Sequence, residues 1–451
     1  MAETRHDSAT FQLAQRIATT DSTRLPAAAL EVGKQAILDF IGVTVAGMEE
    51  PLARMLRDDA REQGGHPQAT VIGTDERVSV QQAALINGAA GHAHDYDDVQ
   101  MAMSGHPTVP VAPTVLALAE HHQLPGADLL TAFVAGVDTE CILGRYAGPA
   151  HYQKGWHATG TLGSFGAAAG ASVLMGLDAP TTAQALGIAG TQAAGLKAQF
   201  GTMCKPLHAG HAAATGAQAA SLAARGFSSR DDILEVEQGF MDTQAESADT
   251  QRFAAAMQTP SYTQDICFKY HAACYMTHSA IEATARLCES NAFDPHQIKA
   301  VTIEVDKGHF KVCNIQSPST GLEAKFSLRF TTAMTLAGVD TSSIDIFTDE
   351  LTQMPELVKF RDLISVQAHA ERNPDTIVTI ELADGNRLSE SFDVAVPMQD
   401  LDAQWQKLTH KFTTLVEPRL GKTRTAQIVE LCRTLDQQQD LQPLFSALAV
   451  H

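Results

Sequence analysis

The chain has 451 residues, 44% of them apolar, so it can bury a large core and is too long for one ordinary domain. Acidic residues outnumber basic ones, 52 to 32, for a net charge of −20, which repels nucleic acid and anionic membrane surfaces. The seven cysteines are odd in number, scattered and without a CxxC, a pattern of reduced thiols in a cytoplasm rather than of a disulfide framework.

The opening MAETRHDSATFQLAQRI is charged early and lacks an apolar h-region, so no secretory signal is expected. Helical periodicity then dominates from residue 10 to about residue 260. In LEVGKQAILDFIGVTVAGM, Ile37, Phe40, Ile41 and Val45 fall on one helix face. In ADLLTAFVAGVDTECILGRY, Leu130, Phe133, Val134, Val137 and Cys141 do the same. Residues 160–225 are rich in Ala and Gly, which lets helices approach closely and predicts the centre of a tight bundle. Its most apolar part, Gly163 to Leu177, is too short to span a bilayer. Gly226 follows a good helix and reads as its C-cap.

The texture changes near residue 265. After one more helix, THSAIEATARLCES, the run IKAVTIEVD alternates, with Val301, Ile303 and Val305 on one face of a strand. TIVTIELADGNRLSESFDV reads as a hairpin, with Val378, Ile380 and Leu382 alternating and DGN as the turn. After Pro397 the chain returns to charged, helix-favouring sequence. The expected architecture is mainly α: a large all-helical domain, 1–266 plus 401–451, with a smaller α/β (α+β) domain, 267–400, inserted before the C-terminal helices.

Four polar clusters are candidates for chemistry. The first, HAHDYDDVQMAMSGHP at residues 92–107, holds three histidines and three aspartates. His92, His94, Asp97 and His106 have the donor chemistry of a zinc or manganese hydrolase, although helical flanks would splay the two rings of the HxH. A solvated polar loop explains the same stretch. The second cluster, HYQKGWHATGTLGSFG, puts His157 just before a helix start that Thr159 or Thr161 would cap; its glycines do not make GxGxxG and serve close packing. In the third, FGTMCKPLHAGHAAATG, Lys205 precedes Pro206 and is expected in a loop entering the next helix, at a helix end that attracts carboxylates; His208 and His211 share a helix face. The fourth, CFKYHAACYMTHSAIEA, carries Lys269, His271 and His278 at the domain junction; Cys274 has no motif context for a nucleophile. Each cluster alone has a plain structural explanation. Together they supply several His, a Lys and an Asp in an otherwise acidic chain, as a polycarboxylate pocket doing proton transfer requires.

In order and spacing, NGAAGHAHDYDD, GHPTVPVAPTVLALAE, GWHATGTLGSFGAAAGA, FGTMCKPLHAGHAA, KYHAACYMTHSAIEA and GLEAKFSLRFTTAMTLAG resemble the MmgE/PrpD family, from about residue 10 to 420. Its members include 2-methylcitrate dehydratases, cis-aconitate decarboxylases and iminodisuccinate epimerases. The resemblance implies a helical domain with an α/β lid, a homodimer, no cofactor and no metal, and a small anionic di- or tricarboxylate substrate. It implies a site of Asp95, His106, His157, Lys205 and His278. The expected chemistry is proton movement next to a carboxylate, with Lys205 and His157 pinning the carboxylate, His106 as acid or base, Asp95 orienting a histidine or acting as base, and His278 as acid on the opposite face. Two positions depart from the decarboxylase pattern: Val99 stands where that pattern has Thr, and Phe330 where it has Tyr. The stretch from Asp95 to His106 is also one residue longer than in the decarboxylase pattern, and its GHP is similar to the epimerase. A metal-dependent hydrolase using His92, His94 and Asp97, and a non-catalytic carboxylate-binding protein, stay open as alternatives.

Overall fold

The computed structural model describes residues 8–246, 249–291, 293–371 and 373–450. The charged opening of the chain therefore lies, for residues 1–7, outside the described residues. The chain folds as two compact units, one formed by residues up to Phe268 together with Met398 onwards, the other by Lys269–Pro397.

The first unit is a packed set of helices. Its helix Ala27–Gly47 is buried from Val32 through Gly47 without interruption. The apolar face read from Ile37, Phe40, Ile41 and Val45 is thus only part of a helix enclosed on all sides, as a helix without a polar face must be. Helix Gly126–Gln153 is likewise buried from Leu129 to Gly144, and is kinked where Gly148 takes φ 67° ahead of Pro149. The Ala/Gly-rich stretch forms helices Ala158–Leu174 and Cys204–Ala224, which pack on each other, and the second also packs on helix Val80–Gly91. Close approach explains the composition. A Cβ added to Gly210 would sit 2.1 Å from the Leu85 carbonyl oxygen, so only glycine lets these two backbones meet. After Arg225 caps its helix, Gly226 takes φ 84° and Phe227 N–H bonds back to the Leu222 carbonyl, closing a Schellman turn. A short antiparallel pair, Ala69–Thr70 with Arg77–Val78, interrupts the helices.

The second unit carries a four-stranded sheet in the order Ile364–Ala368, Ile298–Val305, Thr376–Leu382, Arg387–Phe392. The first pair is parallel and the other two are antiparallel. Val301, Ile303 and Val305 point into the core with Val378 and Ile380, packing against Ala280 and Leu287 of helix Tyr275–Ser290 and Leu328 and Leu336 of helix Leu328–Leu336. The DGN hairpin turn closes with Gly385 at φ 89°. Phe330 is fully buried in this unit. The chain is therefore mainly helical with a smaller α/β part. Among the described residues no helix is long and apolar enough to cross a membrane, and all seven cysteines are free.

Candidate active site

The site is built on the segment that follows helix Val80–Gly91. Ser79 and Gln82 start this helix with a reciprocal capping box, and His92 caps its other end. The chain then reverses at Asp95, whose φ of 51° is a left-handed conformation that a short polar side chain tolerates. Val99 pairs with Cys267 through two 2.9 Å backbone bonds, and Gln100 pairs with Gly105. The Gln100 amide also donates to the Tyr262 carbonyl at 3.1 Å. The excursion between Gln100 and Gly105 is thereby closed on itself and anchored, and it delivers His106 back beside His92. The donor atoms of His92, Asp95, Asp97 and His106 all lie within 4.8 Å of one another.

Asp97 is the hub. His92 Nδ1 donates to it, 2.9 Å from each carboxylate oxygen. His106 Nδ1 lies 3.1 Å from Asp97 Oδ2 as a charge contact rather than an aligned hydrogen bond. The rings of His92 and His106 meet edge-on at 4.6 Å. On its other side, His106 Nε2 is 3.5 Å from Asp95 Oδ1, and Asp95 Oδ2 pairs with Lys205 Nζ at 2.9 Å. The His106 backbone N–H donates to Thr159 Oγ1 at 3.1 Å, which fixes the loop to helix Ala158–Leu174. His157 stacks on His92 at 5.8 Å, sits edge-on to Phe200 at 5.0 Å, and brings its Nδ1 to 3.1 Å from His208 Nδ1. Below this layer, buried Asp98 accepts from the Thr108 hydroxyl and backbone N–H.

Burial and neighbours set the charges. Burial opposes ionisation of Asp97, but the His106 and His92 imidazoles outweigh it and hold the carboxyl well below the usual range. Burial brings His92 down to about 4, against the pull of Asp97, so it is a neutral imidazole at physiological pH. His157 is driven down by burial and then by His92, His106, Lys205 and His208, and is neutral too. Asp98 is pushed up to about 8, mainly by burial. The result is one buried anion, Asp97, serving two imidazoles, beside an ammonium paired with a carboxylate that is 55% exposed. That arrangement suits a carboxylate ligand: the ammonium is accessible through an exposed partner, and an acid/base group stands next to it.

Comparison with known proteins fits this picture. Residues 11–252 match the MmgE/PrpD N-terminal domain and residues 271–437 the MmgE/PrpD C-terminal domain. The chain belongs to the MmgE/PrpD family. Human cis-aconitate decarboxylase is 26% identical over 441 residues, 93% of this chain and 90% of the relative. The cis-aconitate decarboxylase of Aspergillus terreus is 26% identical over 469 residues, 96% and 94% of the two chains. The cis-aconitate decarboxylase-like protein oryM of Aspergillus oryzae is 30% identical over 335 residues, 68% of each. Family and relatives together make this MmgE/PrpD chain a lyase-type enzyme.

The structure brings four of the five expected site residues together: Asp95, His106, His157 and Lys205. His278 belongs to the second unit, where it is fully buried, with Nε2 3.2 Å from the Ala273 carbonyl and its ring 4.9 Å from that of His271. Three local expectations need correction. Lys205 is not in a loop but in the first turn of helix Cys204–Ala224, because Pro206 falls early enough in the helix to need no N–H partner. Thr159 and Thr161 are not caps: His157 occupies the cap position, Thr159 binds His106, and Thr161 binds His151 Nε2 at 2.7 Å. His94 stands apart from the cluster, 3.7 Å from Glu50, so the donor set proposed with His94 is not assembled. Sequence reasoning weighed Asp97 only as a metal donor, not as the acid that faces two imidazoles, and passed over Thr159 as a partner of His106.

Proposed function

We propose that this chain cleaves a bond next to a carboxylate of a small di- or tricarboxylic acid by metal-free acid/base catalysis, as a decarboxylase or dehydratase. The observation that carries the reading is the Lys205 ammonium, 2.9 Å from an exposed Asp95 carboxylate that also faces His106. A substrate carboxylate takes up Lys205 in competition with Asp95, and the neutral His157 donates a second hydrogen bond. In a decarboxylation, the electron pair of the breaking C–C bond passes to the neighbouring carbon and spreads toward the pinned carboxylate. Carbon dioxide leaves and His106 delivers the proton that completes the product. Lys205 faces more negative charge in that intermediate than in the substrate, which is the differential binding that catalysis needs. Asp97 keeps a negative charge 3.1 Å from the Nδ1 of the imidazole that handles the proton. In a dehydration the same imidazole removes the proton next to the carboxylate, the electron pair left behind forms the double bond and expels the hydroxyl of the neighbouring carbon, and the proton taken up completes the departing water. The substrate class follows what the named relatives act on and the charge of the pocket. His278 joins the proposed set on its motif alone.

The test is an NMR screen of small di- and tricarboxylates in deuterated water, with His106→Ala, Lys205→Ala and His278→Ala in parallel. Decarboxylation or dehydration with deuterium at the reacting carbon is expected, lost by at least about 10²-fold in His106→Ala. Epimerisation alone, or binding without turnover, overturns the proposal. A second reading has one observation behind it: the donors of His92, Asp95, Asp97 and His106 lie within metal-binding reach of one another. Against it, Lys205 already places a positive charge on Asp95, and His92 Nδ1 is committed to Asp97. Full activity after chelation and metal analysis supports the metal-free reading; activity lost on chelation and restored by zinc or manganese overturns it. A cytoplasmic homodimer is part of the same proposal, and light scattering after size exclusion tests the dimer.

A further inference from the structure

His208 stands one step behind the proposed acid/base groups, on helix Cys204–Ala224, one turn after Lys205. Its Nδ1 is 3.1 Å from His157 Nδ1, and this contact has a chemical consequence. Two ring nitrogens at that distance form a hydrogen bond only if one carries a proton and the other does not. The shared proton therefore decides which nitrogen of His157 is left for a ligand. If His157 holds it, His157 Nε2 is a bare lone pair and repels a carboxylate. If His208 holds it, His157 Nε2 carries the hydrogen and donates.

The geometry gives the contact little freedom. The strip around Gly195 pairs with the start of helix Ala158–Leu174: His157 N–H donates to the Gly195 carbonyl at 3.0 Å, and Trp156 bridges Leu196. Gly195 takes φ 146°, and a Cβ there would lie 3.3 Å from the His208 ring and 3.4 Å from His157 Cβ. A Cβ on Gly160 would lie 3.1 Å from His208 Cβ. The two imidazoles are thus held against each other by backbone that only glycine allows on both flanks. His157 is buried, stacked on His92 and next to Phe200, whereas His208 is half-buried, so its Nε2 can accept from water. Among the described residues nothing else bonds to the His157 ring. His211, on the same helix face, is exposed and takes no part in this contact.

We infer that His208 is a positioning residue that donates its Nδ1–H to His157 Nδ1, locking His157 as the Nε2–H tautomer that hydrogen-bonds a substrate carboxylate. The last clause rests on the proposed function; the tautomer does not. The side-chain amide nitrogen of Asn overlays a histidine Nδ1 and donates, whereas an Asp carboxylate at that place only accepts. His208→Asn and His208→Asp therefore separate donation from mere space filling.

The experiment records long-range proton–nitrogen spectra of ring-labelled protein, with His157→Gln to assign the His157 signals, and measures kcat and KM separately on the substrate found in the screen. The expected result is a pyridine-type Nδ1 and a pyrrole-type Nε2 for His157 in the parent and in His208→Asn, and the reverse pattern in His208→Asp. Turnover of His208→Asn is expected within about threefold of the parent, and kcat/KM of His208→Asp lower by on the order of 10–100-fold, the loss of one hydrogen bond to a charged group. A protonated Nδ1 on His157 in the parent, or the same tautomer in all three proteins, overturns the inference. The expected tautomers with unchanged kcat/KM in His208→Asp leave the positioning in place and instead overturn the carboxylate-donor role of His157 in the proposed function.

Discussion

Two adjacent carboxyls, Asp97 and Asp98, are both buried yet end in opposite charge states, and the difference is what each one faces. Asp97 faces two imidazoles and is ionised; Asp98 faces a hydroxyl, a backbone N–H and the neighbouring acids Asp39 and Asp97, and stays protonated up to about 8. The charge of Asp97 is expected to matter for turnover. In Asp97→Asn the amide cannot stabilise a protonated His106, so kcat should fall on the order of 10²–10⁴-fold with KM moving far less. Steady-state kinetics checks this, and a kcat within about threefold of the parent rules out Asp97 as the support of the acid/base group. For Asp98 the consequence is a pH dependence of stability. Its folded pKa lies above its unfolded value of 3.8, so the folded state holds the proton more tightly. The stability this contributes is full below 3.8 and is lost as pH rises to about 8, then changes no further. Asp98→Asn keeps the neutral shape and removes the loss. The parent should therefore lose at least about 2 °C more in Tm than Asp98→Asn between pH 6 and pH 8.5, read by scanning calorimetry. Parallel Tm profiles for the two proteins contradict a neutral Asp98.

At the scale of elements, the site loop hangs from two long helices through one buried charge. Lys411 on helix Leu401–Leu420 is 1% exposed, pairs with Asp39 of helix Ala27–Gly47 at 2.6 Å, and donates to the Tyr96 carbonyl at 2.8 Å while lying over the Tyr96 ring. Tyr96 sits between Asp95 and Asp97, so the ammonium holds the turn that places both. Removing one member strands the other: Lys411→Met should cost about 3–5 kcal/mol in denaturant unfolding and lower kcat as well. Adding Asp39→Asn should restore part of the stability, because the buried charge that faced Lys411 is gone, without restoring kcat, because the bond from Lys411 to the Tyr96 carbonyl is not remade. If the double variant regains both, the loop does not depend on Lys411. None of this coupling was legible in the sequence, since residues 39, 96 and 411 share no local pattern. What was legible had a period. The strands around Val301 and Val378 alternate and were readable, and the Ala/Gly helices announced close packing. The strand Ile364–Ala368 does not stand out in the sequence, because it is only five residues long and as an edge strand buries only Ile364 fully. The approach of His106 to His92 is hidden from the sequence for a related reason. The helical flanks of His92 were read correctly, but the reversal at Asp95 that folds His106 back onto it depends on one left-handed residue, which no periodicity reports.

At the scale of the whole molecule, the mainly helical class with a smaller α/β part followed from the change in texture near residue 265, whereas the need for a local cation followed from the acidic net charge. The net charge of −20 and the Lys205 ammonium act on an anionic substrate with opposite sign and different range. The net charge acts over the full Debye length, about 30 Å at 10 mM salt and 8 Å at 150 mM. Lys205 acts at contact distance, is only 14% exposed, and is therefore screened much less. Adding salt over this range should first remove the repulsion. The expected outcome is a KM that falls a few-fold, roughly two to five, between 10 and 150 mM sodium chloride while kcat holds steady. In Lys205→Met the same salt series should lower KM by a similar factor from a higher starting value, because the long-range term is unchanged and only the contact is lost. Sodium sulfate at matched ionic strength distinguishes screening from competition, since a dianion that occupies Lys205 raises KM where chloride lowers it. A KM that climbs steadily with sodium chloride in the parent means that the local cation, and not the acidic surface, sets the field the substrate meets.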